Sequence, residues 1–175
     1  NLSEEPNEFQ HLWQDGESFR IGNLDCEVMH TPGHTPACLT YRIGDALFVG
    51  DTIFMPDFGS ARCDFPGGDA RTLYHSVQRI LSQPDNYRIF VGHDYQPGGR
   101  EIAFETSVAE EKARSIHFKD GADEESFVSM REARDKTLDM PKLILPAIQV
   151  NVRAGQLPEP EENGVRYLKL PLNQF

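Results

Sequence analysis

The sequence predicts an α/β fold in which helices are layered against a sheet. Three observations carry that prediction. Short apolar segments separated by turn residues fill the first third of the chain. Two continuous apolar runs, Leu47-Phe48-Val49 and Ile89-Phe90-Val91, read as strands buried on both faces. From Asp69 onward the apolar spacing becomes helical. Strands first, helices later and alternation between them is the order expected of stacked layers.

Residues 1–17 are polar and read as a loop or partly helical lead-in. Residues 19–21 and 24–29 follow as two short strands joined at Gly22-Asn23, a hairpin turn. Residues 38–43 and 46–49 form a second pair joined at Gly44-Asp45. Leu73, Val77, Ile80 and Leu81 share one helical face, with Asp69 as N-cap and Pro84 as the stop. After the strand at 89–91, two charged helical stretches span about 105–116 and 123–138. The end reads as extended, 143–150 and then 165–170 after a Pro-rich turn.

A length of 175 residues suits one domain, 1–175. The net charge of −11 repels phosphate backbones and anionic lipid, so neither nucleic acid nor a membrane is an expected partner. No apolar run approaches the length of a membrane-crossing helix. The start, Asn1-Leu2-Ser3-Glu4-Glu5-Pro6, has neither the basic nor the apolar part of a signal peptide. Cys26, Cys38 and Cys63 are odd in number and lack CxxC spacing, which gives no disulfide framework and no zinc ribbon. A cytoplasmic location is the expectation. The chain starts on Asn1 rather than Met, and is expected to lie within a longer one.

Three places share one design. His30-Thr31-Pro32-Gly33-His34-Thr35-Pro36, Gly50-Asp51-Thr52 and Gly92-His93-Asp94-Tyr95 each follow a short apolar strand. Strand ends are rigid and the loops beyond them vary, so side chains placed there can converge on a cleft. Imidazole nitrogen with carboxylate oxygen suits zinc, iron or manganese. Glycine directly precedes each of His34, Asp51 and His93, which lets the backbone come close to an ion. Taken singly, each has a plainer account: a hydrogen-bonded structural histidine, or a simple turn.

The three strings in this order and spacing resemble the later metal motifs of the metallo-β-lactamase superfamily. That resemblance implies the C-terminal part of a four-layer αββα sandwich. It makes His34 and Asp51 metal ligands, with Asp51 bridging two metals in binuclear members. His93 would bind a second metal, or stand behind the ligands where one metal is present. His30 falls outside the set and is expected to be structural.

Gly59-Ser60-Ala61-Arg62-Cys63-Asp64-Phe65, Thr72-Leu73-Tyr74-His75-Ser76-Val77 and Asn151-Val152-Arg153-Ala154-Gly155 are similar to persulfide dioxygenases. The likeness covers about residues 18–172. These enzymes sit beside glyoxalase II, and both act on glutathione derivatives. Asp64 falls where glyoxalase II has a second glutathione-contacting Tyr, and the basic C-terminal pair of that enzyme is not evident. The resemblance therefore implies an Fe(II) persulfide dioxygenase, converting glutathione persulfide and O2 to sulfite and glutathione. Arg62, Asn151 and Arg153 would pair with glutathione carboxylates, and Tyr95 would hydrogen-bond its peptide part. The alternative is a glyoxalase II-like hydrolase, with binuclear zinc or iron acting on a thioester. A metal-free binding domain on the same fold is a third reading. A nuclease is disfavoured, because no basic stripe exists.

The superfamily's His-x-His-x-Asp-His segment does not occur upstream of His34. The domain is therefore expected to be incomplete at its N-terminus and to bind a catalytic metal weakly by itself. Its sheet should expose an apolar face, covered by a further segment or by a second copy in a homodimer. Other residues have plainer expected roles. Cys63 should be a packing residue, despite Arg62 beside it. His75 should lie on a helix surface, and His11 and His117 should face solvent. Gly98-Gly99-Arg100 should be a plain loop.

Overall fold

The computed structural model describes residues 11–169. They divide into two compact units. The larger runs from Trp13 to Thr137, and residues 11–12 with 138–169 fall in the other.

The larger unit is α/β. Strands β1 (Ser18–Ile21) and β2 (Leu24–His30) form the first hairpin, with Gly22 at a φ of 59°. Strands β3 (Leu39–Ile43) and β4 (Ala46–Phe48) form the second, with Gly44 also at 59°. Both are the tight two-residue turns expected from Gly-Asn and Gly-Asp, which need a left-handed residue to match the strand twist. Helix α1 (Ala70–Leu81) then crosses over to β5 (Arg88–Phe90), which pairs parallel to β4. Strand β6 (Glu105–Ser107) closes a six-stranded sheet in which neighbours in sequence are neighbours in space. Every other pairing is antiparallel.

Asp69 caps α1 as expected, its carboxylate accepting from the Thr72 N–H at 2.7 Å. Leu73, Val77, Ile80 and Leu81 face inward and pack with Leu47, Val49 and Ile89 of the sheet. Burying each such side chain stabilises the fold by about 1.5–3 kcal/mol. Helices α2 (Val108–Arg114) and α3 (Glu124–Asp135) complete this layer, contributing Val108 and Phe127 to the core.

The expected helix over 105–116 is shorter. Residues 105–107 extend as β6, because Thr106 pairs with Ile89 and Ser107 serves as the α2 cap, accepting from the Glu110 N–H. The expected extended run at 143–150 is instead helix α4 (Ile144–Asn151). Its Leu, Ala and Gln residues are good helix formers, and Pro146 sits in the first turn, where its missing N–H is not needed. Residues 165–169 form no regular strand, and Leu170 lies outside the described residues, as do residues 1–10.

The opposite face of the sheet from α1 carries Phe19, Tyr41, Phe48 and Phe90. The Phe48 and Phe90 rings stack at 5.1 Å, and Phe48 is well exposed. The expectation is an exposed apolar face; of these four rings Phe48 is exposed, and Phe19, Tyr41 and Phe90 are half-buried. Among the described residues no helix is long and apolar enough to cross a membrane.

Candidate metal centre

The three motifs meet at one end of the sheet. Gly33 takes a φ of 132°, and a Cβ there would lie 2.4 Å from the Leu73 backbone. Only glycine lets the loop after β2 lie directly on α1, and that seating brings His34 to the sheet end. Gly50, at a φ of 53°, turns the chain sharply after β4 to present Asp51. Gly92 donates its N–H to the Gly50 carbonyl at 3.0 Å, and a Cβ on it would stand 2.9 Å from that oxygen. The glycine before each of these three residues therefore has a steric cause.

His34 Nδ1 lies 2.7 Å from the Arg62 carbonyl. A carbonyl only accepts, so Nδ1 carries the proton and Nε2 keeps its lone pair. Nε2 stands 3.9 Å from Asp51 Oδ2, while His93 Nδ1 lies 2.5 Å from Asp51 Oδ1. One carboxylate thus joins both imidazoles. An anchored ring nitrogen opposite a lone pair is the arrangement that orients metal-binding histidines.

Two bonds of about 2.1 Å meeting at the tetrahedral angle span about 3.4 Å, so His34 Nε2 and Asp51 Oδ2, 3.9 Å apart, must close by about half an ångström to share one ion. A 2.5 Å contact leaves no such gap between His93 and Asp51; it is a hydrogen bond. Among the described residues no three His, Cys, Asp or Glu side chains form a set able to hold an ion. The donors present fit part of a metal centre.

Aromatic rings wall the site. Phe65 meets His34 edge-on at 5.0 Å. Tyr95 stacks on Phe58 at 4.4 Å and meets Phe54 at 5.3 Å, with the His93 ring 6.1 Å away. Burial first, and the Asp51 charge second, raise the Tyr95 phenol above its ordinary pKa. Phe54 and Phe58 carry no sequence mark of this role, since nothing local ties them to Tyr95.

Arg62 sits near this cluster through its carbonyl, but its guanidinium is engaged by Asp64 through two bonds of 2.6 Å. Asn151 and Arg153 belong to the other unit, Asn151 at the end of α4 and Arg153 donating to the Gln149 carbonyl.

His30 is structural, its Nε2 donating to the Pro36 carbonyl at 2.8 Å. His75 is exposed beside Glu124, and His11 is exposed. His117 corrects the expectation of a solvent-facing residue. It is half-buried, and its Nδ1 accepts from the Ser60 N–H at 3.0 Å. A Cβ on Gly59 would strike its ring, so that glycine makes room for it. Burial and the Arg131 charge lower its pKa to about 4. Cys63 is buried as expected, and burial pushes its thiol up to about 12.

The fold and the paired imidazoles around one carboxylate define a metallo-β-lactamase-type domain, in a family of metal-dependent enzymes. Residues 6–93 match the Metallo-beta-lactamase superfamily, and the chain belongs to it. It is 54% identical to a protein named probable metallo-hydrolase from Burkholderia pseudomallei (strain 1710b), over 95% of this chain and 60% of that protein. It is 34% identical to human mitochondrial persulfide dioxygenase ETHE1, over 81% of this chain and 53% of that one. The crystal structure of ETHE1 from Myxococcus xanthus superposes with a TM-score of 0.73 at 34% identity, covering 82% of this chain and 60% of the other. The chain thus spans about half to three fifths of the length of these proteins.

Proposed function

We propose that this chain forms part of a persulfide dioxygenase with a single iron, acting on glutathione-linked sulfur. The observation that supports it is the division of labour on Asp51. Oδ1 accepts from the His93 N–H, and Oδ2 faces the His34 lone pair at 3.9 Å, which a small closure would bring to the span of one ion. Two histidines and one carboxylate around an open face is the ligand pattern of non-haem Fe(II) oxygenases. Here His34 and Asp51 would supply two of those three ligands. When bound, iron supplies the redox chemistry for glutathione persulfide + O2 + H2O → glutathione + sulfite + 2 H+.

The chain's own residues orient and shield. The Arg62 carbonyl fixes the His34 tautomer. His93 holds the Asp51 carboxylate in one rotamer. Phe54, Phe58 and Phe65 exclude water from the reacting sulfur, and Tyr95 offers its phenol to the peptide part of the substrate. In this reading Arg62 receives a substrate carboxylate, once freed from Asp64.

A second reading is a binuclear zinc or iron hydrolase of thioesters; the name of the 54% identical relative supports its hydrolase part alone. Asp51 would then bridge two ions, and the His93–Asp51 hydrogen bond would have to open. Metal analysis and paired assays on the intact protein separate the two. One iron per chain with sulfite release supports the dioxygenase. Two metals with thioester cleavage and no sulfite overturns it.

A further inference from the structure

The loop after His93 is fastened by a residue that the metal motifs do not include. Arg100 uses all five of its guanidinium N–H groups. Nε and one Nη2 hydrogen go to Asp57 at 2.6 and 2.9 Å. The second Nη2 hydrogen and one on Nη1 go to Asp94, both at 2.7 Å, and the last meets the Glu101 carbonyl at 2.9 Å. Five donors in a rigid planar fork are a property of arginine; lysine has three, on a flexible stem.

The two carboxylates belong to two loops that border the site. Asp94 lies between His93 and Tyr95, and its side chain is 2% exposed. It also accepts from the backbone N–H groups of Ala103 and Gln96. Gln96 takes a left-handed φ of 47°, a conformation costly for a residue with a Cβ, and its amide donates to the Arg100 carbonyl. Asp57 lies in the turn from Phe54 to Gly59 that presents Phe54 and Phe58. That turn is closed by the Phe54 N–H on the Gly59 carbonyl at 2.7 Å.

We infer that Arg100 is a positioning residue for the candidate metal centre, locking the Phe54–Phe58 turn to the His93–Tyr95 loop. By holding Asp94 it sets the backbone on which the His93 ring meets Asp51. By holding Asp57 it keeps the Phe58 ring against Tyr95. This rests on the reading of His34, Asp51 and His93 as a metal centre, and it adds a residue to which that reading gives no role. A saturated guanidinium shared by two carboxylates leaves little freedom, so loss of either half should loosen the site rather than unfold the chain.

The test uses the intact protein labelled with 15N-histidine and kept metal-free, so that its readout does not depend on activity. The His93 resonances are assigned by their loss in His93→Gln. Asp57→Ala removes only the part-exposed half of the clamp and is expected to stay folded. Arg100→Lys keeps the charge and loses the fork. Both are expected to shift the His93 Nδ1 resonance away from its Asp51-bonded position. Both should also weaken Co(II) binding about tenfold, as supporting partners of metal ligands do. Unchanged His93 resonances in both folded variants would overturn the role of Arg100. If the resonances shift but wild-type protein binds no Co(II), the positioning of His93 stands and the metal reading fails.

Discussion

His34 donates its Nδ1–H to the Arg62 carbonyl, and that one bond decides which nitrogen faces Asp51. The residue supplying the carbonyl lies 28 positions downstream, beyond β4 and the Phe54 turn. The β4–α1 connection is therefore part of the candidate metal centre, not only a link between layers.

Gly92 sets the distance between two of the motifs. A methyl group there would stand 2.9 Å from the Gly50 carbonyl and 3.0 Å from Asp51 Oδ1. Gly92→Ala should lower stability by about 1–3 kcal/mol through overpacking. It should also weaken metal binding about tenfold or more by displacing Asp51. Denaturant melts with Co(II) titrations check both. Wild-type values in each would show that the close approach is not needed.

In the proposed reading Asp64 would compete with an anionic substrate for Arg62. Their paired hydrogen bonds hold the Asp64 carboxyl below the usual range, so it is charged at neutral pH. Asp64→Asn weakens that pair. The KM for glutathione persulfide should fall about two- to fivefold, the worth of a part-exposed ion pair. The KM for a persulfide without carboxylates should not move. A raised KM for glutathione persulfide would mean that Asp64 serves the substrate rather than opposing it.

Glu111 is fully buried on α2, and neither carboxylate oxygen has a hydrogen-bond partner among the described residues. Burial raises its pKa from 4.5 to about 8. The folded state holds this proton more tightly than the unfolded chain. The Glu111 contribution to stability is therefore full below pH 4.5 and is lost as pH rises through about 8. The loss should be on the order of a few kcal/mol. In Glu111→Gln the alkaline limb of the stability profile should flatten. An identical slope in the variant would show that Glu111 does not govern it.

His117 acts in the opposite direction. Its folded pKa of about 4 lies below the ordinary 6.5, because burial and the nearby Arg131 charge both disfavour the charged ring. The unfolded chain binds the extra proton, so stability falls as pH drops from 6.5 through 4. Allowing for its partial exposure, the loss should be roughly 2 kcal/mol. His117→Gln keeps an acceptor for Ser60 and should lose this acid limb in thermal melts. Persistence of the limb would place its origin elsewhere.

Much of this was readable in the chain itself. Local chemistry settles local form: Gly22-Asn23 and Gly44-Asp45 must turn, Asp69 must cap, and the spacing of Leu73, Val77, Ile80 and Leu81 must present one face to a core. The convergence of His34, Asp51 and His93 was legible because each follows a strand and a glycine. The helix at 144–151 was not, since a short apolar run fits strand and helix equally until packing decides.

Sequence alone determined which residues carry lone pairs and charge, and at which strand ends they stand. Only the tertiary structure decided who meets whom. It gave Arg100 to Asp57 and Asp94, engaged Arg62 with Asp64, buried His117 under Ser60, and spent one Asp51 oxygen on His93. Most of these pairings join segments tens of residues apart, and each depends on direction and distance in space. Spacing along a chain carries no record of either once the backbone has turned.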